Sequence, residues 1–241
     1  MAVSQLVERR QAERRFFVLV AALFPFLVLA GFARSYYLKG LFGSTHVFSN
    51  LVHLHGVLMT AWVGLFMTQV WLISARRIKL HQRLGIAGAA LGVVMIPVGL
   101  FTAVAAAKYG SPSFPPDIPP RVFMVVPFFD ILMFTIFFGG ALYYRKRPAE
   151  HKRLILLTVM NFLPPAIGRL PIAALTALGP LAFFGIPDLA TFAMVGLDRW
   201  KNGRVNRMFL YGAILLTLSH PVRLMIAGTA VWMRFATWLT A

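Results

Sequence analysis

Residues 50–74, NLVHLHGVLMTAWVGLFMTQVWLIS, run directly into residues 75–83, ARRIKLHQR. The first stretch contains no Asp, Glu, Lys or Arg. At 1.5 Å per residue, about 20 such residues cross the roughly 30 Å hydrocarbon layer of a bilayer. The second stretch packs four Lys/Arg into nine residues, so the span ends in a basic turn. That alternation of apolar run and basic turn is the plan of the whole chain. Within it, His53 and His55 open a segment otherwise suited to lipid.

Outward from this stretch, 59% hydrophobic residues, 13% charged residues and a mean hydropathy of +0.75 lie outside the range of a soluble domain. We expect one all-α, polytopic transmembrane helical bundle of about seven helices over residues 1–241, in contact with the lipid bilayer. The spans fall at roughly 16–35, 51–74, 84–107, 121–144, 152–175, 180–198 and 208–238. The sixth is the shortest and carries Pro187 and Asp188; LTALGPLAFF (175–184) between the fifth and sixth also admits a re-entrant pair. The Pro/Gly-rich SPSFPPDIPP (111–120) reads as an inter-helix loop. With no cysteine, disulfides, thiolate metal sites and thiol catalysis are excluded.

The basic residues set the orientation. VERRQAERR (7–15), ARRIKLHQR (75–83), RKRPAEHKR (145–153) and RWKNGRVNR (199–207) hold 4, 4, 5 and 4 Lys/Arg, which is 17 of the chain's 24. They occupy every second connection, so the positive-inside rule puts the N-terminus in the cytoplasm and the C-terminus outside, in an inner, cytoplasmic membrane. The first span is read as a retained anchor, because its apolar run is long for a cleaved signal. The formal charge of +17 is accounted for by these turns, and no nucleic-acid recognition element accompanies it.

Depth then follows from helical rise. Asp130 comes about 13 Å and Asp188 about 10 Å below the outer surface, while His220 and Arg223 stand about 18–22 Å above the start of the last helix. Arg169 falls near the outer end of the fifth span. His55, Asp130, Arg169, Asp188, His220 and Arg223 thus share the outer half, where ionisable groups face the interior and pair or mark a site. Two Asp against two Arg also read as a purely structural ion-pair network, without partners assigned. His53 and His55, two residues apart, cannot share a helix face; His55 is taken as inward because its face continues through Met59, Trp62 and Gln69. His46, in GSTHVFSN (43–50), is expected to be solvated.

Histidines on different helices at matching depth, amid Phe and Met, are what bis-histidine haem ligation requires. HGVLM (55–59), the turn ARRIKLH (75–81), a Gly/Val-rich helix and RKRPAEH (145–151) follow one another in an order that resembles the cytochrome b561 family, over roughly residues 50–165. The resemblance implies a haem b held by His81 and His151 at the cytoplasmic side. It also implies an outer haem using His55 and a histidine of the third core helix. That helix, RVFMVVPFFDILMF (121–134), has no histidine, and Gly56 stands where the family has Pro. His220 then substitutes as second outer ligand, or the outer pocket holds a quinone or another ligand. A different reading of His81 and His151 has them capping helices or meeting lipid phosphates.

Three function classes remain. The first is a membrane b-type haem protein in transmembrane or quinone-linked electron transfer, served by a quinol or small reductant. The second is a small-molecule transporter with an outer-half polar site. The third is an accessory or assembly subunit of a respiratory membrane complex; the protein partners expected are a membrane complex or further copies of the chain in a homo-oligomer. No Gly-x-Ser-x-Gly, Walker or His-Glu-x-x-His pattern points to a soluble-type active site.

Overall fold

The computed structural model describes residues 2–43, 45, 47–112 and 114–241, except for the side chains of residues 2–10, 12–14, 16, 17 and 21. His46 lies outside the described residues. Every regular element among them is helical. The order is α1 (Ala2–Phe32) continued by a π-helical turn (Ala33–Tyr37), α2 (Asn50–Ser74), α3 (Ile78–Tyr109), α4 (Pro120–Phe123), α5 (Val125–Tyr143) and α6 (Pro148–Asn161). There follow α7 (Pro164–Ile167), α8 (Ala173–Leu178), α9 (Pro180–Asn202), α10 (Arg207–Ile226) and α11 (Ala230–Leu239).

Local chemistry explains the boundaries. Ser49, Asn206 and Thr229 cap α2, α10 and α11 by accepting from the backbone N–H of Val52, Phe209 and Trp232. Pro148 and Pro180 open α6 and α9, where a missing N–H costs nothing. Gly203, at φ +70°, ends α9 in the left-handed conformation that only glycine adopts freely. Inside the helices Thr60, Thr68, Thr102, Thr135 and Thr191 donate to the carbonyl four residues back, so their own hydroxyls are satisfied within the helix.

Six helices among the described residues are long and apolar enough to cross a membrane: 18–37, 50–74, 78–109, 120–143, 180–202 and 207–226. The difference from seven lies in the run 152–175. Its helix stops at Asn161, and α7 and α8 follow as short pieces separated by Gly168–Ile172. Pro164, Pro165 and Pro171 each lack an N–H and disfavour helix in the residue before them, which breaks the run. Broken backbone at membrane depth is tolerated where protein covers it. Here α6 is the interior helix: Leu154, Leu156, Leu157, Thr158, Val159, Met160 and Asn161 are all buried. It packs against α5, α9 and α10.

The sixth run, by contrast, forms an unbroken 23-residue helix through Pro187. The run 208–238 ends as a span at Ile226; Gly228, at φ +78°, turns the chain, and α11 packs on α4. Trp232 Nε1 donates to the Arg121 carbonyl at 2.8 Å and Arg121 Nε to Thr240 Oγ1 at 2.9 Å, fastening α11 there.

The turns α2/α3, α5/α6 and α9/α10 gather at one end of the bundle, the basic end. His81 meets His151 there, and Arg153 meets Asp198. At the far end Gly31 of α1 rests on the backbone of Ala166 in α7. Large apolar side chains such as Leu19, Phe26, Trp71, Ile86, Phe101, Leu189 and Met225 point outward, as a lipid-facing surface requires. With lipid outside as apolar as the core, the helices cohere by close packing and internal polar contacts.

Candidate functional site

At the basic end His81 sits in the first turn of α3 and His151 in the first turn of α6. The basic turns before both helices bring these starts side by side, and the two rings lie 6.4 Å apart, centre to centre, at 81°. His151 Nδ1 is 2.8 Å from the Ala141 carbonyl, which can only accept. Nδ1 therefore carries the proton, and Nε2 presents its lone pair. Gln69 of α2 donates to the His81 carbonyl at 3.3 Å. His81 Nδ1 and Gln69 Oε1 are buried without a hydrogen-bond partner.

Deeper in the same group of helices, Trp62, Phe134 and Phe138 form an aromatic cluster. Trp62 meets both phenylalanines edge-on, at 5.3 and 5.4 Å, and the phenylalanines stack on each other. Met95 completes its buried core, with Met59 and Phe162 packed against it.

Toward the far end, a second polar group joins α5, α9 and α10. Arg223, with no exposed surface, donates to Asp130 Oδ1 at 2.5 Å, to the carbonyls of Ser219 and Val126, and to Ser219 Oγ. Its guanidinium also faces the rings of Phe129 and Phe184, at 5.5 and 5.3 Å. Phe184 stacks on His220 at 4.4 Å, and His220 Nδ1 donates to Asp188 Oδ2 at 3.0 Å. Thr217 donates to the other carboxylate oxygen at 2.8 Å. Asn161 of α6 ties in by donating to the Asp130 carbonyl.

The structure thus pairs Asp130 with Arg223, and Asp188 with His220. His55 is half-buried, and no ring contact joins it to His220 among the described residues. His53 is exposed and packs edge-on to Phe48 and obliquely on Tyr36.

One pair went unread in the sequence: Arg153 of α6 grips Asp198 of α9 with Nε–Oδ2 3.0 Å and Nη2–Oδ1 2.6 Å, both buried. Arg153 was counted with the basic turn, and Asp198 stands at the very end of its apolar run. The signal available was a lone acid four residues before a glycine-capped helix end, where a carboxylate opposes the helix dipole and needs a cation.

What these groups can hold follows from donor number. Among the described residues no cluster of three or more His, Asp or Glu is placed to hold a metal ion. The histidine pair offers two imidazoles, the protein share of a six-coordinate haem iron, whose other four ligands are the porphyrin's. The proton on His151 Nδ1 leaves the correct nitrogen for an iron, and the unpartnered Nδ1 of His81 is an orphan that calls for an explanation. The two histidines thus supply the donor type and number that a haem iron would take from a protein. Asp130 with Arg223 and Asp188 with His220, by contrast, satisfy one another and act as clamps between helices.

Comparison of the chain with known protein families, curated proteins and solved structures gives no match.

Proposed function

We propose that this chain is an integral-membrane b-type haem protein, with His81 and His151 holding the haem, that carries electrons across the bilayer or between the bilayer and a quinone pool. The observation that carries the reading is the meeting of those two imidazoles, brought from helices 70 residues apart in sequence to ring centres 6.4 Å apart. Haem, when bound, supplies a one-electron couple whose potential depends on its ligands, their hydrogen bonds and the dielectric around it. The chain's part is to orient and to exclude water. The Ala141 carbonyl fixes the His151 tautomer, and Gln69 holds the first turn of α3. The Trp62–Phe134–Phe138 cluster keeps the space between α2, α3 and α5 dry.

The likeness in residue order to the cytochrome b561 family supports the same reading. So does the charge alternation, which argues for an inner membrane with N-terminus and basic turns in the cytoplasm and C-terminus outside. Under this reading the site lies at the cytoplasmic side, and its electron donor is a quinol or small reductant. The transporter and accessory-subunit readings have less to rest on, because Asp130, Asp188, His220 and Arg223 are already paired with each other.

The test is the absorption spectrum of the purified protein. A Soret band with sharp α and β bands on reduction is expected. A preparation that is colourless, and stays so after incubation with haem, overturns the proposal.

A further inference from the structure

Arg153 and Arg223 are buried, and Arg169 is half-buried. Arg153 and Arg223 each meet a carboxylate. Arg169, in the bend after α7, has none among the described residues. One of its N–H groups donates to the Pro165 carbonyl, 2.8 Å away, and its plane lies over the Phe32 ring at 4.7 Å. A guanidinium carries five N–H donors in a rigid fork, so most of this one is unspent.

The fork is held rather than loose. Gly31 packs so tightly on Ala166 that α1 must carry its next residue, Phe32, beneath Arg169, and the Pro165 carbonyl sets the rotation. Arg169 retains some exposure, so a ligand can reach it. Phe32 stands one turn before Tyr36, whose ring packs on His53 in the first turn of α2, so the guanidinium lies near that helix's start. This is the depth at which acyl chains give way to headgroups.

A preorganised, planar cation without a counter-charge at headgroup depth is matched by a tetrahedral oxyanion taking two parallel hydrogen bonds. We propose that Arg169, floored by Phe32, forms a phosphate-binding site at the far end of the bundle. The phosphate belongs either to an anionic phospholipid of that leaflet or to a free phosphate group. The site is independent of the haem reading, and its test does not involve haem.

The experiment uses the full chain, delipidated in a neutral detergent. Thermal unfolding is followed while dioleoylphosphatidylglycerol in mixed micelles, or sodium phosphate at constant ionic strength, is titrated in. Wild type is expected to gain stability saturably with at least one probe. With phosphatidylglycerol alone active the source is lipid; with both active it is any accessible phosphate. Arg169→Gln should weaken the response by about tenfold or more, the scale of losing a hydrogen bond to a charged group. Should Arg169→Gln not fold, Arg169→Lys, which keeps the charge and loses the fork, should show the same direction with a smaller loss. Arg145→Gln, at the basic end, should titrate like wild type. The proposal is overturned if neither probe acts on wild type, or if the Arg169 variants respond as wild type does.

Discussion

Arg223 and Asp130, 93 residues apart in the chain, meet at 2.5 Å inside the bundle, and Arg223 has no exposed surface at all. Removing either charge leaves the other buried and alone. Asp130→Asn or Arg223→Met should each cost about 3–5 kcal/mol, whereas the double change should cost less than the sum of the two. Unfolding of the four proteins in detergent closes the cycle. Additive costs would mean that the two residues are not coupled. Arg169→Met combined with Asp130→Asn should be additive, since these two make no contact.

His81→Ala and His151→Ala should each abolish the low-spin haem spectrum, because a bis-histidine iron loses that state with either ligand. His55→Ala and His220→Ala should leave the spectrum as it is. His220 is committed to Asp188 and Phe184, so its loss should show instead as reduced stability, about 1–3 kcal/mol from the carboxylate left short of a donor. Spectra and melting curves on the same four variants separate the two effects.

Gly31→Ala should destabilise by about 1–3 kcal/mol, since the added Cβ would stand 2.9 Å from two backbone carbons of Ala166, which cannot rotate away. Gly64→Ala is the matched control. Its Cβ meets nothing within 4 Å, and the substitution should be neutral or slightly stabilising through helix propensity. The comparison is a pair of melting temperatures in one detergent.

Orientation is open to a direct test. A phosphatase fused after Ala241 should be active and a cytoplasm-dependent fluorescent protein at the same point dark, with the opposite result for fusions in 145–153. A bright C-terminal fluorescent fusion would overturn the assignment.

The sequence by itself carried the fold class. Apolar runs separated by basic turns mark membrane-crossing helices because helical rise and bilayer thickness leave little choice of length, and the long runs 51–74, 84–107 and 121–144 correspond to α2, α3 and α4–α5. It also marked His55, Asp130, Arg169, Asp188, His220 and Arg223 as residues that pair or mark a site, because an isolated charge at such depth is too costly. What it left open was partnership. Which carboxylate meets which cation depends on the rotation of each helix about its axis and on its neighbours, and neither is written in the spacing along one chain. Arg223 took Asp130 because α5 and α10 pack together. Arg153 looked like one more turn charge until α9 brought Asp198 against it. Tertiary structure alone also decided that 152–175 would break at its prolines: interior position lets α6 end early and satisfy its loose backbone with protein, while α9, with a single internal proline, runs on unbroken.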